Sequence, residues 1–215
     1  MESQLIRGII LILPLLMAVT LHEVAHGYAA LKFGDPTAKF AGRLSLNPVN
    51  HLDPFGSVLL PGLLIFSGAP FVFGYAKPVP VNFYNLKDQR LGTIVVSAAG
   101  IVVNLACAAA AGFLYQILQM IPQLTASVPG ALVSQLVYAF CLINVVLAIF
   151  NLIPIPPLDG SRILAVLLPP GARQSYESIG PFGILIVLAL LIMTDILDLL
   201  FLKIIRPLII IMTGG

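Results

Sequence analysis

Apolar residues in this chain run in long blocks, and polar ones collect in a few short stretches between them. About 20 apolar residues in a helix cross the hydrocarbon core of a bilayer. On that measure residues 5–31, 91–119, 132–153 and 181–198 each predict a spanning helix. Pro14 is placed to kink the first of them. The stretches 32–54 and 75–90 hold most of the charged and amide side chains, among them Lys32, Asp35, Lys39, Arg43, His51, Asp53, Lys77, Lys87, Asp88 and Arg90. Residues 55–74 lie between these two and are apolar, but Gly56, Pro61, Gly62, Gly68, Pro70 and Gly74 make a poor uninterrupted helix. Within the polar stretch, residues 38–46 alternate loosely between turn signals, which predicts a short β-hairpin. Residues 154–180 are rich in proline and glycine, with a short helix expected near Ser161 to Leu168. The tail from Leu199 is apolar yet carries Lys203, Arg206 and Pro207, so it either extends the last span or lies along the interface.

Composition turns these blocks into a class. Hydrophobic residues make up 59% of the chain and charged ones 9%, against roughly a quarter charged in soluble domains. So few charges leave most of the outer surface for lipid. The expectation is an all-α polytopic membrane protein with about 4–6 transmembrane helices, a re-entrant segment and a short hairpin at the cytoplasmic side. It forms a single domain over 1–215, with a core over about 5–168 and C-terminal helices over about 180–213. A net charge of +2 from scattered basic residues excludes a nucleic-acid surface. Cys107 and Cys141 sit in separate apolar runs and read as small buried hydrophobes. Cytoplasmic loops are enriched in Lys and Arg. The basic stretches 32–54 and 75–90 therefore share the inner face if 55–74 dips in and returns, which backbone shielded by protein allows. An uninterrupted crossing at 55–74 is the alternative. The expected location is the plasma membrane of a prokaryote.

Candidate chemistry lies where the first apolar block ends, at His22-Glu23-Val24-Ala25-His26. Residues four apart share a helix face, so both imidazoles can meet one zinc ion. Glu23 sits about 100° round the helix, where it can act as general base toward a zinc-activated water. Three polar side chains inside an apolar helix are costly unless they have a function. A catalytic zinc takes three protein ligands and keeps one position open. Carboxylates are few in the apolar parts of the chain, and the best third ligand is Asp159, after the proline-rich run Asn151-Leu152-Ile153-Pro154-Ile155-Pro156-Pro157-Leu158 and before Gly160. On its own, Asp159 would read as an ordinary helix cap.

These two motifs, in this order, resemble the site-2 proteases, a family of intramembrane zinc metalloproteases. A third feature agrees: Ser97-Ala98-Ala99-Gly100-Ile101-Val102-Val103-Asn104, although Ile101 stands where the family usually has proline. The resemblance implies one zinc per chain held by His22, His26 and Asp159, with Glu23 as catalytic base; the loop charges put that site toward the cytoplasmic side. The resemblance also implies a transmembrane protein or peptide as substrate, cut within or beside its membrane-spanning segment. Asn104 and Asn151 match family asparagines near substrate or active-site water, and either can hydrogen-bond a substrate strand or an oxyanion. A membrane asparagine can equally bond across helices. The family often carries PDZ or nucleotide-sensing modules; no stretch of these 215 residues reads as one, so a minimal catalytic core is expected. His51 is a candidate extra ligand, although a histidine in a polar loop more often reads as simply solvated. Two other classes fit parts of the pattern. A metal carrier would use the same ligands without needing Glu23, and a silent helix-binding scaffold would need no zinc. The sequence does not set an oligomeric state.

Overall fold

The structure, a computed structural model, describes residues 2–59, 63, 66 and 76–215. Among the described residues, three helices are long and apolar enough to cross a membrane. The first, α1, is Glu2–Lys32, of which Gly8–Lys32 has the span-like composition; α2 is Gln89–Gln119 and α3 is Val128–Asn151. Polar residues mark the starts of two of them. The Asp88 side chain accepts from the Leu91 N–H at the head of α2, and the Ser127 side chain accepts from the Gly130 N–H at the head of α3. The three pack pairwise against one another.

Each span buries its small and polar residues and turns its large apolar ones outward. On α1, Ala18, Thr20, His22, Val24, His26 and Ala30 are buried, while Leu11, Ile12 and Leu15 are exposed. Exposed leucine and isoleucine over three such helices are what lipid-facing surface looks like, since a water-facing surface would not leave so large an apolar area bare. This is a helical membrane protein. One core cluster joins Ala108 and Ala111 of α2, Cys141 and Val145 of α3, and Ile205 and Ile209 near the C-terminus. A second joins Ala30, Leu86 and Val96 under Phe33, Val81 and Phe83, and binds the end of α1 to the start of α2.

Several expectations are corrected. The fourth span, 181–198, is not one helix. Helical residues Gly183–Met193 end at Thr194, whose extended backbone (φ −136°, ψ 156°) interrupts the run before Ile196–Leu200 resumes. The tail then continues through a π-helical turn, Phe201–Ile205, into Arg206–Thr213. The β-hairpin over 38–46 is replaced by a helical turn at Thr37–Phe40 and extended residues without ladder partners, and there is no strand among the described residues. Asp35 is the physical reason: its Oδ1 accepts from both the N–H and the hydroxyl of Thr37, folding the chain into a turn. The segment 55–74, expected to re-enter, lies largely outside the described residues.

After α3 the chain turns through its prolines into α4, Asp159–Leu167, as expected within a residue or two, and then α5, Pro170–Glu177. A Cβ on Gly160 would run into the Leu152 carbonyl, so α4 begins directly against the end of α3. That contact fixes where Asp159 stands.

A candidate metal centre

His22 and His26 stand one turn apart on α1, and Asp159 opens α4. Their ligand atoms converge: His22 Nε2 and His26 Nε2 are 3.0 Å apart, and Asp159 Oδ2 is 3.1 Å from the first and 3.2 Å from the second. This is the group of metal-ligating side chains found among the described residues. The triangle fits a zinc ion. Ligands about 2.0–2.1 Å from a tetrahedral zinc lie about 3.3 Å from one another, close to the edges observed. The protonation pattern fits as well. His26 Nδ1 lies 2.7 Å from the Val96 carbonyl of α2, which accepts a hydrogen bond from Nδ1–H and so leaves the Nε2 lone pair facing the triangle. Three buried acceptors aimed at one point repel each other unless a cation sits between them.

The His22 ring is placed by packing. It lies on Gly100 of α2, where an added Cβ would come within 2.5 Å of Cε1, 2.6 Å of Nδ1 and 2.7 Å of Nε2. Only glycine leaves room for that ring. His22 Nδ1 has no hydrogen-bond partner.

Glu23 points toward the loops. Its Oε2 accepts from the Val79 N–H at 2.7 Å. Val79 belongs to an extended strap, Lys77-Pro78-Val79-Pro80-Val81-Asn82, which is held at both ends. At one end Arg43, 8% exposed, donates to the Lys77 carbonyl at 2.7 Å, and the Lys77 N–H donates to the His51 carbonyl at 2.9 Å. At the other end the Asn82 N–H donates to Asp35 Oδ2 at 2.7 Å, and Asn85 Nδ2 donates to Asp35 Oδ1 at 2.9 Å. Asp35 is fully buried. Burial pushes its carboxyl up, but the hydrogen bonds from Thr37, Asn85 and Asn82 hold it below the usual carboxylate range.

The remaining sequence candidates divide. Asn104 is fully buried on α2, with neither its Oδ1 nor its Nδ2 hydrogen-bonded. Asn151, half-buried, donates to the Leu147 carbonyl of its own helix. His51 is not solvated: it is 2% exposed, its Nε2 lies 2.8 Å from the Ser45 carbonyl, and it stands outside the ligand triangle. Three contributors were not foreseen, the Val96 carbonyl, the Gly100 cradle and the Val79 N–H, and a further buried amide, Asn144 of α3, was not singled out either. Asn144 donates to Phe140 and leaves its Oδ1 without a partner. The only sequence signal for any of them was Gly100 inside the Ser97–Asn104 motif.

Two histidines one turn apart and an adjacent glutamate on a membrane helix, with a converging carboxylate from the short helix α4, fit a membrane metallohydrolase. The chain belongs to Peptidase family M50, whose profile matches residues 10–194. It is 40% identical over 182 residues to "Putative zinc metalloprotease YwhC" of Bacillus subtilis, covering 85% of this chain and 80% of that one. It is 31% identical over 187 residues to "Putative zinc metalloprotease Rip2" of Mycolicibacterium smegmatis, covering 86% and 67%. A protein of the same description from Mycobacterium tuberculosis is 30% identical over 175 residues, covering 81% and 63%. No solved structure matches the chain. The protein is a zinc metalloprotease of this family, and zinc is its cofactor.

Proposed function

We propose that this protein cleaves membrane-protein substrates within or next to their transmembrane segments, with zinc held by His22, His26 and Asp159 and with Glu23 as general base. The observation that carries the proposal is the 3.0–3.2 Å triangle of His22, His26 and Asp159 atoms beside Glu23 on α1. Zinc, when bound, supplies Lewis-acid activation of water and of the scissile carbonyl. Every other step belongs to the chain. Glu23 takes the proton of the attacking water on the carboxylate oxygen that the strap leaves free, then returns it to the departing amine. The Val79 N–H fixes the other oxygen, so the base is oriented before substrate arrives. Asn104, buried with both polar atoms unpaired, is the side chain best prepared to bond a substrate strand. His26 lies six residues before Lys32, which puts the site about 9 Å from the loop end of α1. The substrate helix must unwind there to offer its amide.

We also propose that the site opens on the cytoplasmic side of the plasma membrane and that 55–74 leaves and returns on one face. The bond from the Lys77 N–H to the His51 carbonyl supports the second point, because it ties the two flanking loops together. Cysteine labelling at Lys39 and Lys77 from each side checks it, and opposite accessibility would refute it.

The deciding experiment compares wild type with Glu23→Gln in detergent, measuring zinc content and cleavage of a single-span membrane substrate together. One zinc in both, with cleavage in wild type alone, is the expected result. Equal cleavage by both would remove Glu23 from its role, and absence of zinc from both would remove the ligand set.

A further inference from the structure

A cavity of about 720 Å³ opens on the loop side of the metal centre, between the first turns of α2, one face of α4 and the strap. Its walls start beside the site itself. Ser161 is two residues past Asp159, and Val81 is two residues past Val79, whose N–H meets Glu23. Thr93 lies one helical turn before Val96, whose carbonyl holds His26. The cavity is thus built from the same segments that carry the candidate ligands and the Glu23 contact, a few residues further along each.

Its charge is one-sided. Arg90, Arg162 and Arg173 line it against one acid, Glu177. That surplus of two equals the net charge of the whole chain, +2. Glu177 is already engaged, with its Oε1 2.8 Å from Arg173 Nε. Neither Arg90 nor Arg162 forms an ion pair among the described residues. Arg162 is nonetheless held in place: its guanidinium lies over the Phe83 ring, 4.7 Å from the centroid, which joins α4 to the turn after the strap. A guanidinium oriented in advance and lacking a carboxylate is a receptor for one, because its planar fork matches the two oxygens.

We propose that this cavity is a substrate subsite that takes an acidic side chain of the cleaved polypeptide, about two to four residues from the scissile bond on its loop side. The spacing comes from the helix. Arg90 precedes Val96 by six residues, about 9 Å along α2, and an extended peptide covers that in about three residues at about 3.3 Å each. The inference rests on the protease proposal above, so its test keeps binding separate from cleavage.

Single-span substrate peptides carrying Asp, Asn or Lys at each of these positions are presented in phosphatidylcholine vesicles. Cleavage by the zinc-loaded wild type is measured, along with binding to zinc-loaded Glu23→Gln. Asp is expected to exceed Asn about tenfold in kcat/KM at one or two positions, and binding to follow the same order. In the Arg90→Gln/Arg162→Gln double variant that ratio should fall to about one, and in Arg162→Glu the preference should turn toward Lys. Equal handling of Asp and Asn by wild type, or a preference that survives in the double variant, overturns the proposal. So does an effect of the arginine variants that appears only as weaker binding of phosphatidylglycerol vesicles, because the cavity would then take a lipid headgroup. Selective binding of Asp peptides with no cleavage of any peptide would instead refute the protease proposal and leave the subsite standing.

Discussion

Replacing Gly100 with alanine puts a methyl group into the ring of His22. The new Cβ would stand 2.5–2.7 Å from three ring atoms, where ordinary contacts begin at about 3.4 Å. Restoring that contact moves the ring or the helix by about 0.7–0.9 Å, while metal-ligand bonds tolerate about 0.2 Å. His22 Nε2 now sits 3.0 Å from His26 Nε2 and 3.1 Å from Asp159 Oδ2, and a shift of that size takes it out of the triangle. Disturbing a ligand's support costs about 10–100-fold in metal affinity. Displacing the ligand itself should cost at least the upper figure, so Gly100→Ala is expected to bind zinc about 100-fold more weakly and to lose cleavage in proportion. The assay is zinc retention against a graded chelator, with the thermal midpoint followed in parallel. Gly112→Ala is the control. It lies on the same helix, where a Cβ would meet the Met212 carbonyl at 2.5 Å, so it should destabilise by about 1–3 kcal/mol while keeping wild-type zinc affinity. If Gly100→Ala holds zinc as tightly as wild type and cleaves normally, the ring is not fixed by this contact and the argument from the cradle fails.

Val79→Pro removes the donor to Glu23 and should slow cleavage about 10–100-fold with zinc content unchanged; a wild-type rate would show that the base does not depend on the strap. Asp35 sets an acid limit on stability. Its folded pKa is depressed, so its contribution is complete above the unfolded value near 4 and is lost as pH falls through the folded value. Thermal midpoints from pH 6 to pH 3 should fall less steeply for Asp35→Asn than for wild type, from a lower starting point, and parallel curves would refute the assignment. Chelation should abolish cleavage reversibly without altering helix content, because neither core cluster includes a residue of the ligand triangle; a loss of helical circular dichroism on chelation would contradict this.

Side-chain chemistry was legible and backbone chemistry was not. His22, Glu23 and His26 were readable because their spacing alone puts them on one turn, and Asp159 because the prolines before it must end α3 and Gly160 lets the next helix start close by. The Val96 carbonyl and the Val79 N–H hold His26 and Glu23 in place, yet every residue has such groups, so no letter marks the ones that make these contacts. Gly100 was visible only as part of a motif, since a missing side chain does not say which ring fills the space. Hydrophobic runs failed in a related way. Residues 181–198 are apolar enough to span, but length reports solubility in lipid and not continuity, and the extended backbone at Thr194 divides them. At 38–46 loose alternation suggested strands, while one buried carboxylate, Asp35, decided the matter by bonding Thr37, Asn82 and Asn85. That residue read as part of a turn signal, and it ties together two loops 47 residues apart in sequence. The polar loops therefore shape the candidate site as much as the helix that carries the motif: through Arg43, His51 and Asp35 they hold the strap, and through the strap they hold Glu23.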